Sequence, residues 1–461
     1  MAAVTFPFST ETYIERRKTL MKEVGSGKIL LLGNQDASIN FKDNVYHFRQ
    51  DSSFLYYIGI NLMDLNAILD CDSGEVHLFG NDASVELIVW MGNQPKLSDL
   101  GAKVGIDLVH PTADLVKHLS GDIKYLPAYR ARHEINLKSW LGVSELKPNM
   151  DLIHAVIKQR NIKTLEEIAE LDKAVTLTSQ MHEFVLRNAK PNMMEYQLVG
   201  LANAFAWNHN CQWSFPPILT KNGQTLHNHY HGHQIKEGDL VLYDGGIEIE
   251  SGYCGDMTRS FPAGNKFTDM QASIYKIVHD SYQTALDLSK PGIYYKDVHL
   301  AVAKTMVNGL KSLGIMQGDT DEAVDAGAHS LFFPHGLGHM MGMDVHDMEN
   351  LGEEHVGYDS TIEKSTQFGL RSLRLGRELK EGYVITIEPG IYLIPELIDK
   401  FKSEGQHINF VDYDELNKYR NMGGIRIEDD YVITADGNRR LGEPLANDLA
   451  SVEEMRREAL S

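Results

Sequence analysis

The chain has 461 residues, more than a single hydrophobic core normally organises, and this length predicts two domains. Hydrophobic residues make up 43% and charged residues 23% of the sequence, which is typical of a soluble globular protein. Because 64 acidic residues outnumber 44 basic ones, the net charge is −20, which argues against nucleic acid or an anionic membrane as the main partner.

The cysteines and the N-terminal stretch indicate the cellular compartment in which we expect the protein. Cys71, Cys211 and Cys254 are isolated and form no CxxC pair, which favours a reducing compartment over a disulfide framework or a thiolate zinc site. The N-terminal stretch has no apolar run long enough for a signal peptide, and no later window approaches a membrane span. We therefore expect a soluble, cytoplasmic protein.

The first third of the chain predicts an α/β domain with a mixed sheet. An amphipathic helix is expected over residues 10–24 and a short strand over 29–32. Apolar runs at 66–69, 76–79 and 85–90 alternate with helical or turn segments, before a helix at 112–119 and a strand at 123–126. The aromatic segment 48–57 fits a packed sheet edge at least as well as a binding role.

The pattern changes near residue 158, so we expect domains at residues 1–157 and 158–461. In the second domain the order helix, Lys-Pro, helix occurs twice. The helices are predicted at about 164–189 and 195–209 around Pro191, and at 268–289 and 296–313 around Pro291. Thr268 opens the third of them with a capping box. Each pair precedes an acidic strand ribbon, which predicts a duplicated architecture.

The first ribbon, VLYDGGIEIESGYCGDMTRS, spans residues 241–260 and carries Asp244 and Asp256. Side chains alternate faces along a strand, so two aspartates of equal parity on neighbouring strands aim at one point. Converging carboxylates repel each other and cost desolvation energy, and a bound cation relieves both. Taken alone, the stretch is explained more often by solvated turn aspartates beside glycines.

The second ribbon carries Glu388 in VITIEPGIYL and Glu428 in GGIRIEDDYVIT. Between the ribbons lies FPHGLGH, which contains His335 and His339. An HxxxH spacing on a helix would suggest zinc, but glycines at positions 336 and 338 disfavour a helix. In a loop only one histidine need be a ligand, and histidines at a plain Gly-rich turn remain the alternative.

The combined candidate ligands are four carboxylates and one imidazole: Asp244, Asp256, His339, Glu388 and Glu428. This oxygen-rich set favours Mn²⁺, with Co²⁺, Fe²⁺ or Zn²⁺ as alternatives. Four carboxylates suit two ions about 3.5–4 Å apart that share bridging carboxylates and a water. Such ions lower the pKa of that water and polarise a carbonyl, while a nearby histidine holds the oxyanion or assists proton transfer.

Five motifs resemble those of the Xaa-Pro peptidases with the pita-bread fold, aminopeptidase P and prolidase: LYDGG, YCGDMTRSFP, FFPHGLGHMMGMDVHD, ITIEPGIYL and GGIRIEDDYVIT. The segment FRQDSSFLYYIGI resembles the smaller domain of the same proteins. The resemblance implies a mixed α/β N-terminal domain and a pita-bread (creatinase/aminopeptidase) catalytic domain with a pseudo-two-fold repeat. It also implies a metal-dependent hydrolase that acts on proline-containing peptides as a homodimer.

The resemblance also implies roles for single residues. Asp244 would hold one metal ion, His339 and Glu388 the other, and Asp256 and Glu428 would bridge both, with Glu388 also handling the proton of the nucleophilic water. Thr258 and Arg426 match groups that orient the bridging carboxylates.

The substrate-side histidines of the family correspond to His335, His346 and His227. Around His227 the sequence reads LHNHYHGH where family members often read LHY, and three more histidines follow at alternating positions, 229, 231 and 233. This departure allows a slip of the alignment, and a polar strand face explains the cluster equally well.

The long segment between His346 and Glu388 helps to distinguish the two kinds of Xaa-Pro peptidase, prolidase and aminopeptidase P. It contains FGLRSLR, which resembles prolidase, where an arginine at the position of Arg374 holds the free carboxylate of a dipeptide. A guanidinium grips a carboxylate with two hydrogen bonds, so the resemblance slightly favours an Xaa-Pro dipeptidase over an aminopeptidase P acting on longer peptides. In the alternative, Arg371, Arg374 and Arg377 are solvated or pair with local acids.

Rival functions fit less well. A non-catalytic binding protein of this fold would be expected to have lost ligands, and all five positions are present. By family comparison, a creatinase-like amidinohydrolase lacks this metal set, and a methionine aminopeptidase normally lacks a comparable N-terminal domain. A structural scaffold has no need of four converging carboxylates.

Overall fold

The computed structural model describes residues 5–461, and the chain divides into two compact units. One unit runs up to residue 160 and includes residues 350–352, and the other comprises 161–349 and 353–461. The assignment of residues 1–157 and 158–461 to two functional domains stays a prediction.

The first unit is built on a mixed five-stranded sheet. The strands of this unit are β1 (Lys28–Leu32), β2 (Ser38–Phe41), β3 (Asn44–Val45), β4 (Asn66–Asp70), β5 (Val76–Phe79), β6 (Leu108–His110) and β7 (Ile123–Tyr125), of which β2 and β3 form a separate pair. Its helices are α1 (Thr10–Val24), α2 (Ser52–Ile58), α3 (Val85–Met91), α4 (Leu97–Lys103), α5 (Leu115–His118), α6 (Ala131–Leu141) and α7 (Met150–Asn161). The sheet order is β6-β5-β4-β1-β7, and β1 pairs antiparallel with β4 but parallel with β7. The predicted mixed α/β character is confirmed.

Two apolar segments of this unit are helices rather than parts of a sheet. The aromatic segment forms α2, whose first turn is capped because Asp51 accepts a hydrogen bond from the Phe54 N–H at 2.8 Å. The run at residues 85–90 forms α3, which Ser84 caps, and Trp90 on it is 79% exposed. The interpretation of the aromatic segment as a sheet edge was therefore wrong, because apolar content alone does not separate a short helix from a strand.

The second unit contains the duplicated part. Its strands are β8 (Gln212–Trp213), β9 (Ile218–Thr220), β10 (Leu240–Asp244), β11 (Ile247–Glu248), β12 (Thr258–Pro262), β13 (Val384–Ile387), β14 (Gly390–Tyr392), β15 (Gly424–Arg426), β16 (Asp429–Ile433) and β17 (Asn438–Arg440). Its helices are α8 (Leu165–Asn188), α9 (Glu195–Asn208), α10 (Asp269–Leu288), α11 (Tyr295–Ser312), α12 (Thr320–Asp325), α13 (Glu353–Gly357), α14 (Pro395–Ser403), α15 (Tyr413–Tyr419) and α16 (Leu449–Leu460).

The two halves of this unit follow one plan. Helices α8 and α9 pack together and precede the sheet β12-β10-β9, and helices α10 and α11 pack together and precede the sheet β13-β16-β17. Capping boxes at Thr164 and Thr268 begin α8 and α10, as a side-chain oxygen accepts from the third backbone N–H of each helix. A backbone bridge between Thr258 and Glu428 joins the two ribbons, which brings their carboxylates to one place. Within residues 5–461, no helix has the length and apolar character needed to cross a membrane.

Candidate metal centre

The first ribbon places Asp244 at the end of β10 and Asp256 just before β12. The chain crosses itself closely here, because a Cβ on Gly246 would lie 1.8 Å from the Gly255 carbonyl oxygen. The backbone N–H of Asp256 donates to Oδ2 of the buried Asp430 at 2.9 Å. Asp430, a residue of the second ribbon, therefore fixes the backbone at Asp256.

The second ribbon places Glu388 directly after β13 and Glu428 between β15 and β16. The N–H of Glu388 donates to the Leu337 carbonyl at 2.8 Å, and the N–H of Glu428 donates to the Thr258 carbonyl at 3.1 Å. The backbone of Glu388 is thus bonded to the loop that carries His339, and the backbone of Glu428 is bonded to the ribbon that carries Asp256.

His339 lies in an irregular loop, as the glycines of FPHGLGH predict. A Cβ on Gly338 would lie 2.1 Å from the Thr386 carbonyl oxygen, so only glycine permits this close packing of the loop against β13. The His339 Nδ1–H donates to the Met340 carbonyl at 3.0 Å, which leaves Nε2 with its lone pair. That Nε2 faces Asp256 Oδ2 at 3.5 Å and Glu388 Oε1 at 3.7 Å.

All five candidate ligands line a single cavity of about 510 Å³. Within the described residues, one atom each of Asp256, His339 and Glu428 lies within 4.8 Å of the other two, as a metal site requires. Glu388 Oε1 lies 3.7 Å from His339 Nε2, and Asp244 lines the same cavity.

The charge balance of the cavity fits a divalent cation. Asp244 Oδ1 and Asp256 Oδ1 are buried and have no hydrogen-bond partner among residues 5–461. Burial and the charge of Asp244 raise the pKa of Asp256 to about 8, and burial raises the pKa of Glu388 to about 7. Burial and the charge of Asp256 raise the pKa of Glu428 well above its usual value. Bound cations would supply the missing partners, so the residues present fit the metal ions that the sequence implies.

Arg426 and Thr258 hold two of these carboxylates. The Thr258 hydroxyl donates to Glu428 Oε2 at 2.6 Å. Arg426 donates through Nε to Thr258 Oγ1 at 3.0 Å and through Nη2 to Asp244 Oδ2 at 2.5 Å. Its Nη1 donates to the Tyr392 hydroxyl at 2.6 Å, so one buried guanidinium orders both sides of the centre.

The histidines of the centre differ in how many of their ring nitrogens are hydrogen-bonded. His335 donates from Nδ1 to the Gly336 carbonyl at 2.7 Å and accepts at Nε2 from the Tyr392 hydroxyl at 2.8 Å. Burial lowers the pKa of His335 to about 3 and also lowers the pKa of His346. The His346 ring lies 4.1 Å from the His339 ring, and its Nδ1 donates to Glu349 Oε2 at 3.1 Å.

The cluster at residues 227–233 divides into two parts. His227 and His229 line the cavity. The His231 Nδ1 is 3.1 Å from the Leu219 carbonyl oxygen, and the His233 Nδ1 is 3.0 Å from Glu195 Oε2. The structure therefore brings His227 to the centre and also adds His229, while the last two histidines serve local contacts.

Arg374 pairs with local acids at the cavity, and its role in substrate binding stays a prediction. It lines the cavity, and its Nη1 donates to Glu349 Oε2 at 2.7 Å and to Glu353 Oε2 at 3.0 Å. The neighbouring arginines make local contacts instead, Arg371 over the Phe368 ring and Arg377 to Asp359 at 3.2 Å.

Several residues of the site were not predicted. Tyr392 lies inside the motif ITIEPGIYL but showed no signal of its own, and Asp430 follows Glu428 in a run of acids. Glu349 offers a weak signal, since it is three residues beyond His346, a spacing that lets two side chains meet in a helical turn. An apolar wall also lines the cavity and comprises Phe215, Pro216, Ile218, Leu226 and Val345.

Known proteins match both units of the chain. Residues 13–128 match the N-terminal domain of aminopeptidase P, and residues 169–435 match metallopeptidase family M24. The Xaa-Pro dipeptidase of Rattus norvegicus is 30% identical over 450 residues, which cover 94% of this chain and 89% of that protein. The Xaa-Pro aminopeptidase of Escherichia coli K12 is 31% identical over 455 residues, which cover 94% of each.

Solved structures agree with these matches. A zinc-substituted aminopeptidase P of E. coli in complex with product superposes with a TM-score of 0.81 at 29% identity, covering 98% of this chain and 99% of that one. The predicted fold, a smaller N-terminal α/β domain followed by a pita-bread domain, is confirmed. The chain is a metal-dependent exopeptidase and belongs to metallopeptidase family M24.

Proposed function

We propose that this protein hydrolyses the peptide bond between an N-terminal residue and a following proline, using two divalent cations, with Mn²⁺ favoured over Co²⁺, Fe²⁺ and Zn²⁺. The observation that carries the proposal is the single cavity in which four carboxylates and the free Nε2 of His339 converge around two unpartnered aspartate oxygens. Relatives named for Xaa-Pro cleavage support the substrate class.

In this proposal each ligand has a separate role. Asp244 would hold one cation, His339 and Glu388 would hold the other, and Asp256 and Glu428 would contribute to both. When bound, the cations would lower the pKa of a water molecule that serves as nucleophile and would polarise the scissile carbonyl. Glu388 takes the proton of that water and passes it to the leaving amine.

The remaining groups of the cavity orient the substrate. His346 uses Nδ1 for Glu349, which leaves Nε2 for the substrate. His335 has both nitrogens engaged, so a substrate that uses its Nε2 displaces the Tyr392 hydroxyl. The apolar wall around Phe215 and Ile218 supports a place for the proline ring, whose missing N–H also makes the bond resistant to general peptidases.

For the subtype we propose an Xaa-Pro dipeptidase, on the strength of Arg374 at the cavity wall. The alternative is an aminopeptidase P that acts on longer peptides, and the identities to the two kinds of relative, 30% and 31%, do not separate them. A non-catalytic binding protein of the same fold is the more remote alternative, because it would not need all five ligands.

Substitution of Arg374 tests the subtype. The wild-type enzyme is expected to cleave an Xaa-Pro dipeptide at least about 10-fold more efficiently than the matching Xaa-Pro-Yaa tripeptide, since a charged hydrogen bond contributes roughly 1.5–3 kcal/mol. Arg374→Ala should raise KM for the dipeptide by about the same factor and leave the tripeptide unchanged. Arg371→Ala is the control, because Arg371 lies on Phe368. Equal cleavage of both peptides by the wild type would reject the dipeptidase assignment.

We also propose a cytoplasmic homodimer. Free thiols at Cys71 and Cys211, and the absence of any CxxC pair in the sequence, support a reducing compartment. Helix α3 exposes Val85, Val89 and Trp90 to at least 75% each, and an apolar surface of this kind fits a second copy of the chain.

Substitution of Trp90 tests the homodimer. Light scattering after size exclusion is expected to give twice the chain mass for the wild type and a shift towards the monomer for Trp90→Glu, because the substitution places a charge in the apolar contact. The exposed Tyr196 on α9 provides a control, Tyr196→Glu, that should not change the mass. A monomeric wild-type protein would contradict the proposal.

A further inference from the structure

Glu349 lies behind the wall of the cavity and contacts two of the groups that line it. Its Oε2 accepts a hydrogen bond from His346 Nδ1 at 3.1 Å and another from Arg374 Nη1 at 2.7 Å. The Glu349 side chain is 20% exposed and is not among the residues that line the cavity. A single carboxylate oxygen thus joins an imidazole and a guanidinium that face the substrate, without reaching the substrate itself.

For His346 this contact fixes the tautomer. An ionised carboxylate only accepts hydrogen bonds, so the proton of a neutral His346 ring resides on Nδ1 and Nε2 is turned towards the cavity. Burial favours the neutral acid, but the hydrogen bond from His346 and the charges of His346 and Arg374 lower the pKa of Glu349 to about 2. The carboxylate is therefore ionised at neutral pH even when His346 is neutral, because Arg374 remains beside it.

For Arg374 the contact fixes the direction of the guanidinium. Both Glu349 and Glu353 bind its Nη1, while Nη2 and Nε have no hydrogen-bond partner within residues 5–461. These two nitrogens form one edge of the guanidinium, which matches a carboxylate with two parallel hydrogen bonds. The Lys364 ammonium contacts Glu353 and balances part of the added negative charge.

The backbone around Arg374 holds this arrangement together. A Cβ on Gly357 would lie 1.7 Å from the Arg374 carbonyl oxygen, and the N–H groups of Gly376 and Arg377 both donate to the Gly357 carbonyl at 2.9 Å. The Tyr358 hydroxyl donates to the Leu373 carbonyl at 2.7 Å. Helix α13, which begins at Glu353, is therefore packed directly on the backbone that carries Arg374.

We propose that Glu349 is a positioning residue that couples substrate orientation by His346 to carboxylate recognition by Arg374, and so favours substrates whose second residue ends in a free carboxylate. This inference deepens the proposed function and rests on it. Glu353 provides a natural comparison, because it accepts a hydrogen bond from the same Arg374 nitrogen, whereas the His346 Nδ1 donates to Glu349.

Steady-state kinetics of Glu349→Gln and Glu353→Gln test the coupling, with Mn²⁺-loaded full-length protein, an Xaa-Pro dipeptide and its C-terminal amide. Loss of a group that orients an active-site residue typically costs about 10–100-fold. Glu349→Gln is expected to lower kcat for both substrates by about that factor and also to raise KM for the dipeptide. Glu353→Gln should raise KM for the dipeptide alone, since its effect passes only through Arg374.

Thermal unfolding and metal content are measured for each variant, and both should match the wild type. If Glu349→Gln does not fold, Glu349→Asp retains the charge on a shorter side chain and should show the same loss of kcat in weaker form. A Glu349 variant with wild-type kcat, or one indistinguishable from Glu353→Gln, would overturn the coupling while leaving the proposed function intact. A wild-type enzyme that cleaves no Xaa-Pro peptide would overturn the proposed function and the inference with it.

Discussion

Asp256→Asn is expected to abolish hydrolysis and to lower the bound metal from two ions to at most one per chain. The substitution keeps the size of the side chain but removes its charge, and Asp256 is the residue whose carboxylate meets His339, Glu428 and the charge of Asp244. Since loss of an outer partner of a metal ligand already costs up to about 100-fold, loss of a residue that we propose as a ligand of both ions should cost more.

The measurement combines kcat on an Xaa-Pro dipeptide with metal content by mass spectrometry after dialysis. Wild-type protein treated with a chelator gives the baseline, and it should lose activity and regain it with Mn²⁺. Asp414→Asn is the matched control, because the Asp414 side chain is 95% exposed and should leave both quantities unchanged. Full activity in metal-free wild-type protein, or two tightly bound ions in Asp256→Asn, would contradict the mechanism.

The features that could be predicted from the sequence are those fixed by neighbouring residues. The capping oxygens of Thr164 and Thr268 lie three residues from the N–H groups that they accept, so both helix starts are visible in the sequence. Glycine at position 338 likewise disfavours a helix locally. The aspartate ribbon follows from the two-residue period of a strand, which places Asp244 opposite Thr258, close to Asp256.

The features that could not be predicted depend on contacts between distant segments. The hydrogen bond between Arg426 and Asp244 joins residues far apart in the chain, and the family resemblance assigned Arg426 to the bridging carboxylates instead of Asp244. Glu349 and Glu353 lie in an acid-rich stretch, and their contact with Arg374 depends on how the segment after His346 folds back. Helix α3 is a further case that the sequence does not predict. Its apolar side chains suggest burial, but none of them is buried in the structure.

Arg259 joins the two ribbons that carry the candidate metal ligands. The geometry of the centre therefore depends on its contacts. This fully buried guanidinium on β12 donates to the carbonyls of Thr258 and Glu428 at 2.9 and 2.8 Å. It also donates to Asp429 Oδ1 at 2.7 Å and to the Ala446 carbonyl at 2.8 Å. Arg259 therefore fixes the register of the first ribbon against the second at Glu428.

Arg259→Met is expected to lower the free energy of unfolding of the second unit by about 3–5 kcal/mol, the usual cost of removing one partner of a buried ion pair. The methionine fills similar volume, but it removes one donor each from the Thr258, Glu428 and Ala446 carbonyls and leaves Asp429 with only Arg440 to balance its charge. Urea unfolding at fixed Mn²⁺ concentration measures the change.

Arg439→Met supplies the contrast for this measurement. Arg439 binds Asp172 through two hydrogen bonds of 3.0 and 2.9 Å, but the two side chains are 48% and 34% exposed. Solvent screens an exposed pair, so its loss should cost no more than about 1 kcal/mol. Equal destabilisation by the two substitutions would show that burial of Arg259 adds nothing. A larger loss for Arg259→Met, with weaker Mn²⁺ binding, would show that ribbon register and metal affinity are held by the same guanidinium.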